Sequence, residues 1–133
     1  MIMQSVLANL LLADAPLANL IGNRAQWDTL PQGGAQTESV IMFVISGVTN
    51  YTMQGQSGFV STRVQFDCRG GTAAKARAVA EALNERLSGF RGVFAGTHFQ
   101  GCFAQAQRTR HDKVDGFEWF TDSRDYTIHW APA

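Results

Sequence analysis

The chain is poor in the features that announce a membrane protein, a disulfide-built peptide or a nucleic-acid reader. Cysteine is confined to Cys68 and Cys102. Both lie in apolar, strand-like stretches, which suits reduced, packed thiols better than a disulfide framework. Charge is scarce at 17% and balanced, with 11 basic and 11 acidic residues. A free-standing DNA binder would carry an excess of cations, because phosphate contacts demand them. No run approaches 18 apolar residues, so no membrane span is expected. Met1-Ile2-Met3-Gln4 lacks the basic start of a secretory signal, which points to folding in the cytoplasm. The three histidines, His98, His111 and His129, lack the short repeated spacing of metal ligands. His98 and Cys102, four apart, read better as a half-exposed imidazole and a packed thiol than as a zinc pair.

What is present is enough for one domain, residues 1–133, at 45% hydrophobic. Low charge fits a surface partly covered by partners, and a surface of Gly, Gln, Ser and Thr explains it equally well. Ile2, Val6, Leu7, Leu10 and Leu11 recur at helical spacing. Asp14-Ala15-Pro16 breaks that helix, and Asp14 can cap a second, short one ending at Gly22-Asn23. Arg24 to Glu38 is expected to be an irregular connection anchored by Trp27, with Leu30 to Gly34 as turn chemistry.

Ser39 to Ser46 is a strand with apolar residues at both parities, which predicts cover on both faces. Gly47 to Gly58 reads as a long polar loop. Phe59 to Cys68 alternates cleanly, with Val64, Phe66 and Cys68 on one side and Arg63, Gln65 and Asp67 on the other. Thr72 is positioned to cap a third helix, whose stripe is Ala76, Val79, Ala80, Leu83 and Leu87, with Gly89 as the stop. Val93-Phe94 and Thr97 to Ala106 are strands around Ala95-Gly96. Arg108 to Gly116 reads as a charged loop, and the last strand runs from about Phe117 to Trp130. The expected class is α+β, with a mainly antiparallel sheet and helices packed on one face.

No catalytic, metal or cofactor site emerges, and the chain does not read as an enzyme. Neither Ser46-Gly47 nor Ser57-Gly58 sits in a nucleophile elbow. Gly70-Gly71-Thr72 lacks the lysine of a phosphate loop and reads as a turn and a helix cap. Asp112, Asp115, Glu118, Asp122 and Asp125, interleaved with Arg108, Arg110, Lys113 and Arg124, form either a solvated face or an electrostatically specific contact surface.

Leu11 to Ala18, Ile21-Gly22-Asn23-Arg24, Leu30-Pro31-Gln32-Gly33, Ile45-Ser46-Gly47, Gly58 with Arg63 to Cys68, Leu87 to Gly92, Phe99-Gln100-Gly101 and Asp125 to Trp130 follow one another in a familiar order and spacing. Through them the chain resembles the phage tail completion family of long-tailed phages, prophages and gene transfer agents. It departs locally at Lys113 to Glu118, where relatives tend to carry an Asp-x-x-Thr-Gly turn. The resemblance implies a virion structural protein without cofactor. It would be a tail terminator at the head–tail junction, assembled in the bacterial cytoplasm. Its partners would be its own copies in a homo-hexameric ring, the tail-tube protein and a head-side connector or stopper, with DNA passing through the lumen unread. The competing readings are a head-completion or connector subunit, a small ligand-binding module, and, from a different class, a small hydrolase. Two segments are the expected assembly contacts: Asn50, Tyr51, Thr52, Met53, Gln54 and Gln56 in the first long loop, and Arg108, Arg110, His111, Asp112 and Lys113 in the second.

Overall fold

The structure, a computed structural model, describes the backbone of residues 2–22, 24–28, 38–52, 55–114 and 117–132. Side chains are described for the same residues except 2–3, 48–52, 55–59, 114, 117 and 132. The described residues form three helices and six strands.

The helices form where periodicity and caps agree. In α1 (Ile2–Leu12) the stripe Val6, Leu7, Leu10 and Leu11 is buried. Each such leucine contributes about 2 kcal/mol of burial. The Asp14 carboxylate accepts the Leu17 N–H at 3.3 Å and starts α2 (Ala15–Ile21), which turns 92° from α1. Gly22, at φ 61°, ends it. In α3 (Ala73–Leu87) the Thr72 hydroxyl accepts the Lys75 N–H at 3.2 Å, and the five expected stripe residues are all buried. Gly89 follows at φ 75°, a conformation open to glycine and strained for most residues.

The strands are β1 (Ala25–Trp27), β2 (Ser39–Thr52), β3 (Gly55–Gly70), β4 (Gly92–Phe94), β5 (Thr97–Val114) and β6 (Phe117–Pro132). They form one sheet in the order β1-β2-β3-β6-β5-β4. The sheet is mixed rather than purely antiparallel: β1 runs parallel to β2, and every other pairing is antiparallel. The expected irregular connection thus contains a strand. It is fixed by the Trp27 indole N–H, which donates to the Gln4 carbonyl of α1 at 2.9 Å. The Leu30 to Gly34 turn lies outside the described residues.

All three helices pack on one face, where Val40, Met42, Val64, Phe66, Cys68, Cys102, Tyr126 and Ile128 meet them in the core. Tyr126 also donates to Asn84 of α3 at 2.7 Å. The cover expected on both faces of β2 is met only at its start. Ile41, on the opposite face from the helices, is buried, whereas Val44 and Ile45 are 41% and 50% exposed.

Both expected loops are corrected to β-hairpins. Pairing continues to Thr52↔Gly55 in the first and Val114↔Phe117 in the second. An antiparallel ladder satisfies backbone groups whatever the polarity of the side chains, so polar segments held beyond the core still pair. β3 and β6 pair from Val60↔Trp130 to Gly70↔Phe120. The tip of β2–β3 therefore projects from one end of the sheet and the tip of β5–β6 from the other. Single extra residues bulge at Ile45, Gln100 and Gln105.

Candidate functional site

The face of the sheet away from the helices carries most of the fold's polar organisation. Alternation along β3 puts Arg63, Gln65, Asp67 and Arg69 on it, opposite the buried Val64, Phe66 and Cys68. β6 adds Ser123 and Asp125, and β5 adds Arg108, Arg110 and Asp112 at the matching registers.

These side chains form one connected lattice. Asp125, 4% exposed, meets Arg63 at 3.0 Å and Arg108 at 3.3 Å. Arg108 also donates to the Gln65 side-chain oxygen at 2.9 Å, and Gln65 donates to Asp67 at 2.8 Å. Asp67 accepts from the Ser123 hydroxyl at 2.6 Å and lies 3.8 Å from Arg110, which holds Asp112 at 2.8 Å. Beside them Arg69 stacks over Trp119, 4.3 Å from the ring centre. Burial, reinforced by the neighbouring Arg110 charge, holds the Arg69 guanidinium below its usual range. Where β5 passes, a cleft of about 480 Å³ is lined by Ile41, Phe43, Asp67, Arg69, Arg110 and Asp112.

The expected contact residues divide between the two hairpins and are not brought together. Arg108, Arg110 and Asp112 lie on the open face. His111 turns to the helix side, stacks on Phe120 at 4.3 Å and lies 3.8 Å from Glu118. Lys113 pairs in register with Glu118 near the second tip. Asn50, Tyr51 and Thr52 lie in β2 and Gln56 in β3, with their side chains outside the description, and Met53 and Gln54 lie outside the described residues altogether.

The carboxylates of the last third are not one surface. Asp125 and Asp112 belong to the open face, whereas Asp122 sits on the helix side with Arg124 at 3.3 Å and accepts from Gln107. Arg63, Asp67, Ser123 and the Arg69–Trp119 stack were not among the expected site residues, although the alternation of β3 carried the signal for the first two. Chemically, the lattice can present a rigid, nearly neutral surface, but it offers no activated nucleophile. Burial pushes the Cys68 thiol up, with Asp122 adding to it, and burial pushes Cys102 up to about 12. Among the described residues no cluster of His, Cys, Asp and Glu is placed to hold a metal ion.

Comparison with known proteins places this architecture. The family profile described as "Tail completion protein gp17" matches residues 5–124. The chain belongs to the tail completion family. That is a family of phage-type structural tail proteins, as the sequence resemblance implied. Curated proteins give no match. Among solved structures, a chain of the "Virion of native gene transfer agent (GTA) particle" has a TM-score of 0.74 at 20% identity, over 97% of this chain and 94% of that one. At that identity the likeness concerns the fold, which this tail completion protein shares nearly end to end.

Proposed function

We propose that this tail completion protein is a tail terminator, a subunit of a homo-hexameric ring at the head–tail junction that caps the tail tube and joins it to the head-side connector. One observation carries the reading beyond the family: the two hairpins project from opposite ends of one sheet. A subunit at a junction needs two different axial contacts, and this fold has one arm for each. The first arm extends beyond the Val60↔Trp130 level and the second beyond the Gly70↔Phe120 level, each by roughly 10 Å for the Asn50–Thr52 and Asp112–Val114 stretches at about 3.3 Å per residue. Asn50, Tyr51, Thr52 and Gln56 belong to the first arm, and Met53 and Gln54, outside the described residues, are proposed as contacts with them. Asp112 and Lys113 belong to the second, with His111 at its base, whereas Arg108 and Arg110 sit below it on the open face, paired with Ser123 and Thr121. The open face suits a passage for unread DNA, because Arg63, Arg108 and Arg110 are matched by Asp125, Asp67 and Asp112 within the lattice and few counterions would be released.

The test shortens one arm at a time. One variant joins Thr49 to Val60, the other Asp112 to Trp119, each through Asn-Gly, the preferred two-residue hairpin turn. Both should fold and assemble, one losing binding to tail-tube protein and the other to the connector. Variants that each still bind both partners would sink the reading. Loss of connector binding alone, with tail tube never bound by the parent chain, would move the protein one layer towards the head.

A further inference from the structure

The two sides of the sheet are unevenly covered. Among the described residues, β1 covers β2 only along Val40–Met42, with the Asp28 N–H donating to Met42. β4 covers β5 only along Thr97–Phe99, and the Gly89 N–H donates to Cys102. The margins Phe43–Thr52 of β2 and Phe103–Val114 of β5 pair with no outer strand among the described residues. Open edges are normally blunted with charge. Here Phe43 to Gly47 carries none and the β5 margin carries none from Phe103 to Gln107, its charges beginning at Arg108; among the described residues the exposed large hydrophobics Val44, Ile45, Val93 and Phe103 all lie on β2, β4 and β5.

We infer that copies of this chain join edge to edge, the open margin of β2 in one copy pairing with the open margin of β5 in the next. The inference rests on the ring reading above and names the contact that would close the ring. Three features select a second copy as the occupant. First, the margins lie on opposite sides of one sheet, as the two unlike faces of a head-to-tail ring must. Second, the directions fit. From β2 through β3 and β6 to β5 there are three antiparallel steps, so β2 and β5 run oppositely. A copy rotated about an axis along the strands therefore offers β5 antiparallel to β2.

Third, the margins are offset. The level of Ser46 runs through Arg63 and Thr127 to Phe103, and that of Phe43 runs through Gln65 and Asp125 to Ala106. Above those levels only β2 is open, and below them only β5. Copies set side by side without stagger would share little more than four residues. Closed sheets tilt their strands, however. Four strands at about 4.8 Å span about 19 Å, and a tilt of about 35–45° staggers successive copies by about four to six residues. In the sense that suits this offset, the shared margin grows to about eight to ten residues, and β1 and β4 of neighbouring copies move apart.

The test uses the two exposed bulge residues on these margins. Proline is tolerated at bulges and blocks addition of a strand. Ile45→Pro spoils the β2 margin and Gln105→Pro the β5 margin. Ile45→Lys and Phe103→Lys serve the same purpose should a proline variant fail to fold, as judged by its thermal transition. Light scattering of the parent chain, alone and with tail-tube protein, should give a ring. Each single variant should give the 14.5 kDa chain mass. An equimolar mixture of a β2-margin and a β5-margin variant, each with one intact edge, should give twice that mass and nothing larger. Folded variants that keep the ring mass overturn the edge contact and leave the terminator reading standing if those rings still cap tubes. A mixture that stays at single-chain mass overturns the complementarity of the edges. A parent chain that stays monomeric in both conditions overturns both.

Discussion

Asp125→Asn should cost this protein about 1–2 kcal/mol. The carboxylate is buried, yet the side chains of its partners Arg63 and Arg108 are 40% and 51% exposed. Breaking a fully buried pair costs about 3–5 kcal/mol, and an exposed pair is worth about 1 kcal/mol or less. The half-hydrated guanidinium groups place this site between those limits. In a domain of this length the loss lowers the melting temperature by about 3–8 °C. Calorimetric or circular-dichroism melts of Asp125→Asn, Arg63→Met, Arg108→Met and the double variants give the coupling energies directly. Each Asp125–Arg coupling should be about 0.5–1 kcal/mol and should shrink in high salt. Asp112→Asn, where both partners of the 2.8 Å pair are exposed, should change the melt by under about 0.5 kcal/mol. An Asp125→Asn protein as stable as the parent, with no coupling to either arginine, would refute the view that this lattice rigidifies the face.

Neither cysteine should react with a thiol reagent in the native protein at pH 8, and both should react once it is unfolded; native labelling of either would contradict their burial. Burial also raises Tyr126 to about 12 from 10.0 and Cys102 to about 12 from 9.0. Between those values the unfolded chain loses protons that the folded chain keeps, so stability is complete below about pH 9 and falls as pH rises towards 12. A melting temperature that does not drop over that interval would contradict the assignment. Gly70→Ala should destabilise by about 1–3 kcal/mol, because its Cβ would stand 2.9 Å from both the Ala76 nitrogen and the Lys75 Cβ. Gly47→Ala, whose Cβ meets only the Thr62 hydroxyl at 3.9 Å, is the control and should melt near the parent in a thermal scan.

The helices and their ends were legible because period and caps agree: Asp14 before Pro16, Thr72 before the Ala76–Leu87 stripe, and glycine at 22 and 89. The core parity of β3 was legible for the same reason, one side apolar and the other polar. The hairpins were not. Asn50 to Thr52 and Asp112 to Val114 pair beyond the levels at which β3 and β6 meet, so no apolar alternation marks them, and the polar composition of both segments looks like loop. β1 was missed because three residues are too few to show a period, and its strand character comes from pairing with Val40–Met42. The charged residues of the last third were visible as a group. Their division between two faces follows plain alternation on β6, but on β5 it was hidden, because there it depends on the bulge at Gln105.

That bulge has a consequence for how the gene can change. Past Gln105, the residues of β5 face the opposite way from where simple alternation would put them. It is the extra residue that sends Arg108 and Arg110 to the open face and Gln107 and Thr109 towards the helices. Losing a single codon there would exchange the two sets and drive two guanidinium groups towards Cys68 and α3. Losing two codons within the outer part of the hairpin would keep the phase and only shorten the arm. Length variation among related chains in this segment is therefore expected to come in steps of two.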